Sequence, residues 1–242
     1  MGRAQPASST LATLLACPDI RRGGAVGAMA QPGVPSGFAA LDAVLPGGGW
    51  PSGSLTELLP RHAGIGELRL LGGALAALGQ RGQGIAWIAP PFPPYAPALA
   101  AAGIDLARVL VVETRSREET LWAAEQALAS RACGAVLVWP EAVRYAALRR
   151  LQLAAESGRA CAFLFRPPEA ARESSPAVLR LGLEARDGGL AVHLLKRRGP
   201  ALAQPVVLDA FAVPRRTPPD ALDRDPPAPS AGRAARPRLL VA

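Results

Sequence analysis

The chain has 242 residues, half of them hydrophobic, which is enough for one α/β core with shorter flanking segments. Its formal charge is +8, and Lys196 is the sole lysine, so the positive charge is carried by arginine. The planar guanidinium fork suits phosphates and carboxylates, so a nucleic acid or an acidic protein surface is the implied partner class. The same abundance of Ala, Gly, Pro and Arg is also what a GC-rich genome produces without selection for binding.

Cys17, Cys133 and Cys161 are odd in number and widely separated, which argues against a disulfide framework. His62 and His193 are the only histidines, and no group has metal-ligand spacing. A reduced cytoplasmic location is expected. Leu14-Leu15-Ala16-Cys17 has the form of a lipoprotein cleavage site. The apolar run before it is short and interrupted by Thr13, so an amphipathic N-terminal helix is expected instead. No stretch reaches the roughly 20 apolar residues of a membrane span.

In chain order, Ser54 to Leu59 reads as a strand and Gly64 to Gln80 as a helix with Leu68, Leu71, Leu75 and Leu78 on one face. Gly84 to Ala89 is the next strand, Tyr95 to Ala102 a short helix, and Arg108 to Glu113 a strand. Arg117 to Ser130 is a helix aligning Leu121, Ala124 and Leu128. Ala135 to Trp139 is a strand, Arg144 to Ser157 a helix, and Ala160 to Phe165 a strand. Continuous apolar strands are buried on both faces, and their alternation with helices implies a mostly parallel sheet flanked by helices. Val178 to Arg186 and Leu190 to Arg197 then alternate with period two around Asp187-Gly188-Gly189. This predicts an antiparallel hairpin at a sheet edge, with one more short strand within Gln204 to Asp209. The expected layout is an N-terminal helical or flexible segment over 1–33, one α/β domain over 34–213, and a Pro/Arg-rich tail over 214–242 that is disordered alone.

Two blocks, Val34 to Asp42 and Pro46 to Glu57, resemble the Gly-rich start of RecA-type recombinases, in which a strand leads into a phosphate-binding loop. A working loop, G-x-x-x-x-G-K-[ST], offers backbone N–H groups and a Lys to the phosphates and a hydroxyl to magnesium. Here the degenerate loop is Pro60, Arg61, His62, Ala63, Gly64, Ile65 and Gly66, followed by Glu67, with neither the Lys nor the hydroxyl. Trp139 stands where a strand-end acid would ligate magnesium. The strand over Ile85 to Ala89 runs into Pro90-Pro91-Phe92-Pro93-Pro94 where a catalytic carboxylate is due. For Gly64 and Gly66, service in a tight turn is the simpler account.

"LLPRHAGIGELRLL", "ARVLVVE", "GAVLVWPE", "RRLQLAAE", "FLFRP" and "HLLKRRG" together resemble the ImuA family, over about Val34 to Arg198. The resemblance implies a RecA-like pseudo-ATPase domain without a cofactor. It also implies a non-catalytic role in SOS-induced, error-prone translesion DNA synthesis. The implied partners are an ImuB-like inactive Y-family polymerase homologue and an alternative DnaE-type polymerase, with RecA or self-association as further ones. The segment from Leu68 to Pro168 also resembles SulA, the division inhibitor that binds FtsZ. SulA chains lack the block over Val34 to Glu57, which favours the ImuA reading.

Candidate contacts to DNA or to a partner are Trp50 in its Gly/Pro loop, Arg149 and Arg150 on the outer side of their helix, and Arg197, Arg198, Arg215 and Arg216 around the end of the hairpin. A solvated helix face is the ordinary role for Arg149 and Arg150. Trp87, Trp122 and Trp139 fall in core elements, where buried tryptophan supplies apolar area, and His193 is an ordinary strand residue.

Overall fold

The protein is described by a computed structural model over residues 32–209. The predicted segments 1–33 and 214–242 lie outside these residues, apart from residues 32 and 33, as do Arg215 and Arg216.

The described helices are α1 (Ala39–Asp42), α2 (Arg69–Gln80), α3 (Ala96–Ala101), α4 (Arg117–Ala129) and α5 (Tyr145–Gly158). The strands are β1 (Ser54–Pro60), β2 (Gly84–Ile88), β3 (Val109–Val112), β4 (Cys133–Val138), β5 (Cys161–Phe165), β6 (Leu179–Arg186), β7 (Gly189–Lys196) and β8 (Val206–Leu208). They form one eight-stranded sheet in the order β3-β2-β4-β5-β1-β6-β7-β8. β1 to β6 run parallel, and β7 and β8 are antiparallel, so the α/β class and the terminal hairpin agree with the sequence.

Side chains alternate between two cores along β1, β2, β4 and β5, whereas the edge strand β3 leaves Leu110 and Val111 exposed. Leu58, Trp87, Leu137 and Phe163 enter the core with α1 and α2, while Leu55, Ala86, Val136 and Ala162 enter the core with α4 and α5. Both faces of these strands are therefore dry, which is why they read as unbroken apolar runs. Ser116 caps α4 by accepting the Glu119 N–H at 3.1 Å.

The Gly-rich block before β1 folds back on itself. Val34 and Trp50 exchange backbone hydrogen bonds at 2.8 and 2.7 Å, pulling Leu41, Leu45 and Trp50 onto the first core. Gly73 on α2 admits this block, since a Cβ there would stand 2.6 Å from the Ser36 carbonyl oxygen.

Three expectations are corrected. The helix predicted from Gly64 begins at Arg69, because Gly64 and Gly66 hold φ of 81° and 105°, outside the right-handed helical region. Leu68 accordingly leaves the apolar row and is exposed. Trp122, expected in the core, is 65% exposed, because the buried row of α4 is Thr120, Leu121, Ala124 and Leu128 and the next residue after Leu121 turns away from it. Trp50, expected to be exposed, is 0% exposed and packs edge-on against Phe163 at 5.3 Å.

Candidate functional site: the C-terminal ends of the parallel strands

In a parallel sheet with helices on both faces, ligands are expected beyond the carboxyl ends of the strands. The loop 61–68 leaves β1 there and leads to α2. Within it, Gly64 donates its backbone N–H to Glu67 Oε1 at 2.9 Å, and Glu67 Oε2 is buried without a hydrogen-bond partner among the described residues. The chain's own carboxylate thus takes up a loop N–H that would face a phosphate in a working loop. Ile65 is buried in the first core, while Arg61, His62, Ala63 and Gly64 are exposed.

Beside the loop, the strand ends carry rings where magnesium chemistry needs oxygen ligands. Trp139 lies flat on Phe165 at 4.4 Å with 2° between planes, and stacks on Trp87 at 5.5 Å and 26°. The stack crosses β2, β4 and β5 on the face covered by α2. Ala89, at the end of β2, has a φ of 51° and donates its N–H to the Val112 carbonyl, so the chain turns sharply before the prolines.

On the opposite face sits a charge network that sequence reasoning missed. Glu57 is 0% exposed. Its Oε1 accepts from Arg166 Nη1 at 3.2 Å and from Ser175 Oγ at 2.8 Å, and its Oε2 accepts from Arg180 Nε at 2.6 Å. Arg166 Nη2 reaches Glu173 at 2.6 Å, so two arginines face two carboxylates. Arg180 also donates to the carbonyls of Ala170, Ala171 and Glu173, which ties down the segment after β5. The sequence signal was the register, since Arg180 is the β6 residue opposite Glu57. Complete pairing in a buried setting marks this network as structural.

The remaining candidates are dispersed. Arg197 donates from Nη1 to the Val44 carbonyl and from Nε to the Pro200 carbonyl at 2.8 Å, while Arg198 is exposed. Arg149 is exposed, and Arg150 pairs with Glu125 at 2.8 Å. His193 Nε2 stands 3.4 Å from Glu184, which also accepts from Arg61 at 2.7 Å. Burial pushes the Cys161 thiol up to about 11, despite a weak contact with Ser52. Among the described residues, no group of three or more His, Cys, Asp or Glu side chains could hold a metal ion. Among them, too, no helix is long and apolar enough to cross a membrane.

No family model matches the chain. Over 125 residues it is 33% identical to Protein ImuA of Caulobacter vibrioides, in each of two strains, covering 50% of this chain and 51% of the relative. The chain spans about half the length of the curated relatives it matches. A crystal structure of SulA from Pseudomonas aeruginosa shares 27% identity, covering 46% of this chain and 97% of that one, at a TM-score of 0.40. An overlap of that size leaves the fold to rest on the strand order above. The ImuA resemblance carried by the motifs therefore has a named relative.

Proposed function

We propose that the chain is a non-catalytic accessory of SOS-induced, error-prone translesion DNA synthesis, working in the cytoplasm. In this reading it acts with an ImuB-like inactive Y-family polymerase homologue and an alternative DnaE-type polymerase, and the RecA-like scaffold is retained for binding alone. The pathway rests on the similarity to Protein ImuA. The pseudo-ATPase reading is carried by one observation: the stack of Trp87, Trp139 and Phe165 fills the strand ends where acids would be needed. The Glu67 carboxylate in the loop supports it, because a fixed negative charge beside a phosphate cradle repels phosphate.

The test is affinity purification of the full chain from cells exposed to a DNA-damaging agent. Recovery of the polymerase homologue and the alternative polymerase is expected. Recovery of FtsZ in their place would transfer the chain to the division-inhibitor reading.

A further inference from the structure

Trp122 is an exposed indole on the outer side of α4. It borders a groove of about 380 Å³ between α4 and the start of α5, where Ala142, Ala146 and Ala147 leave room for an incoming side chain. Most charges around the groove are already matched: Arg117 pairs with Glu118 at 3.0 Å and Arg150 with Glu125 at 2.8 Å. The guanidinium of Arg144, at the N-terminus of α5, has no hydrogen bond or ion pair among the described residues. The groove therefore combines one exposed indole, a small-residue lining and one uncompensated cation.

We propose that this groove docks an amphipathic segment of the ImuB-like partner, with an apolar side chain against Trp122 and a carboxylate on Arg144; this rests on the function proposed above. Tryptophan and arginine dominate the energetics of protein interfaces, and a helix lying in a groove buries such an anchor while its polar flank pairs at the rim. Protein fits better than nucleic acid here. Glu118 and Glu125 line the same groove and repel phosphates, and nucleic-acid affinity depends on cations free to replace counterions.

The experiment uses the full chain and the purified ImuB-like protein. Trp122 reports on its own surroundings: it is the exposed tryptophan, whereas Trp50 and Trp87 are buried and Trp139 is stacked, so acrylamide should quench it selectively. Partner binding should protect it. Trp122→Ala and Arg144→Glu should each weaken binding at least tenfold, about 1.4 kcal/mol, while Leu153→Ala, exposed elsewhere on α5, should bind normally. Raised salt should weaken the wild type more than Arg144→Glu. Tight wild-type binding that neither groove variant changes would overturn the groove and leave the functional reading standing. Failure of the wild type to bind would sink both. Protection of Trp122 by a single-stranded oligonucleotide, and not by the partner, would overturn the protein occupant.

Discussion

The backbone N–H of Gly64 and the carboxylate of Glu67, 2.9 Å apart, close the loop after β1 upon itself. A loop already satisfied by its own acid has less to offer a phosphate, and the aromatic stack beside it offers magnesium no ligand. No ATP hydrolysis is therefore expected, with or without single-stranded DNA. Glu67→Ala should not restore it, because the missing Lys and acids stay missing. Phosphate release above background that a bulky substitution at Gly64 abolishes would contradict this.

Glu57 sits between two guanidinium groups with almost no water around it. Glu57→Gln keeps the shape and removes the charge, leaving Arg166 and Arg180 facing a neutral amide in a dry site. Breaking a buried pair from one side costs about 3–5 kcal/mol, so urea denaturation should show the midpoint falling with the slope unchanged. A loss under about 1 kcal/mol would mean that water reaches the network.

Hydrogen bonding from Arg61, reinforced by its charge, holds the Glu184 carboxyl below the usual range. A folded pKa lower than the unfolded one stabilises the fold above the unfolded value, and that stability fades as pH falls through the folded value. The Arg61–Glu184 contribution should accordingly be present at neutral pH and disappear in the acid range below about pH 4. Arg61→Ala should raise the Glu184 pKa followed by NMR titration; an unmoved titration curve would remove Arg61 as the cause.

Arg197 fastens the end of β7 to the segment after α1 through the Val44 carbonyl. Arg197→Ala should lower stability by about 1–3 kcal/mol, because a partly buried acceptor loses its donor, and should change DNA affinity little. Arg198→Ala should do the reverse if the end of the hairpin binds phosphates, with affinity that falls steeply as salt rises. A thermal melt and a salt titration on each variant separate the two roles.

The strands and helices were largely legible because two dry faces force apolar runs and one-sided helices force periodic ones. The two misplaced tryptophans show where that reasoning stops. Composition makes the loop around Trp50 look solvated, but the paired backbones of Val34 and Trp50 fold it inward. Trp122 sits in a convincing helix, yet one residue past Leu121 is a turn of about 100°, enough to leave the core. The charge network was invisible for another reason. Its members lie far apart in the chain, and nothing local to Arg166 or Arg180 announces that Glu57 will stand beside them. In the candidate site, the missing Lys and acids were readable as letters. The ring stack at the strand ends depends on register across three strands.

The strand order also sets a timetable for the chain as it is made. Of the described strands β1 is synthesised first, yet both of its neighbours, β5 and β6, come late in the chain. At roughly 5–20 residues per second, a ribosome takes about 5–21 seconds to get from the end of β1 to the end of β5. Throughout that interval a strand with five consecutive buried positions waits with both edges unpaired. Nascent chains arrested before β5 should therefore recruit holdase chaperones, and chains released after β6 should not.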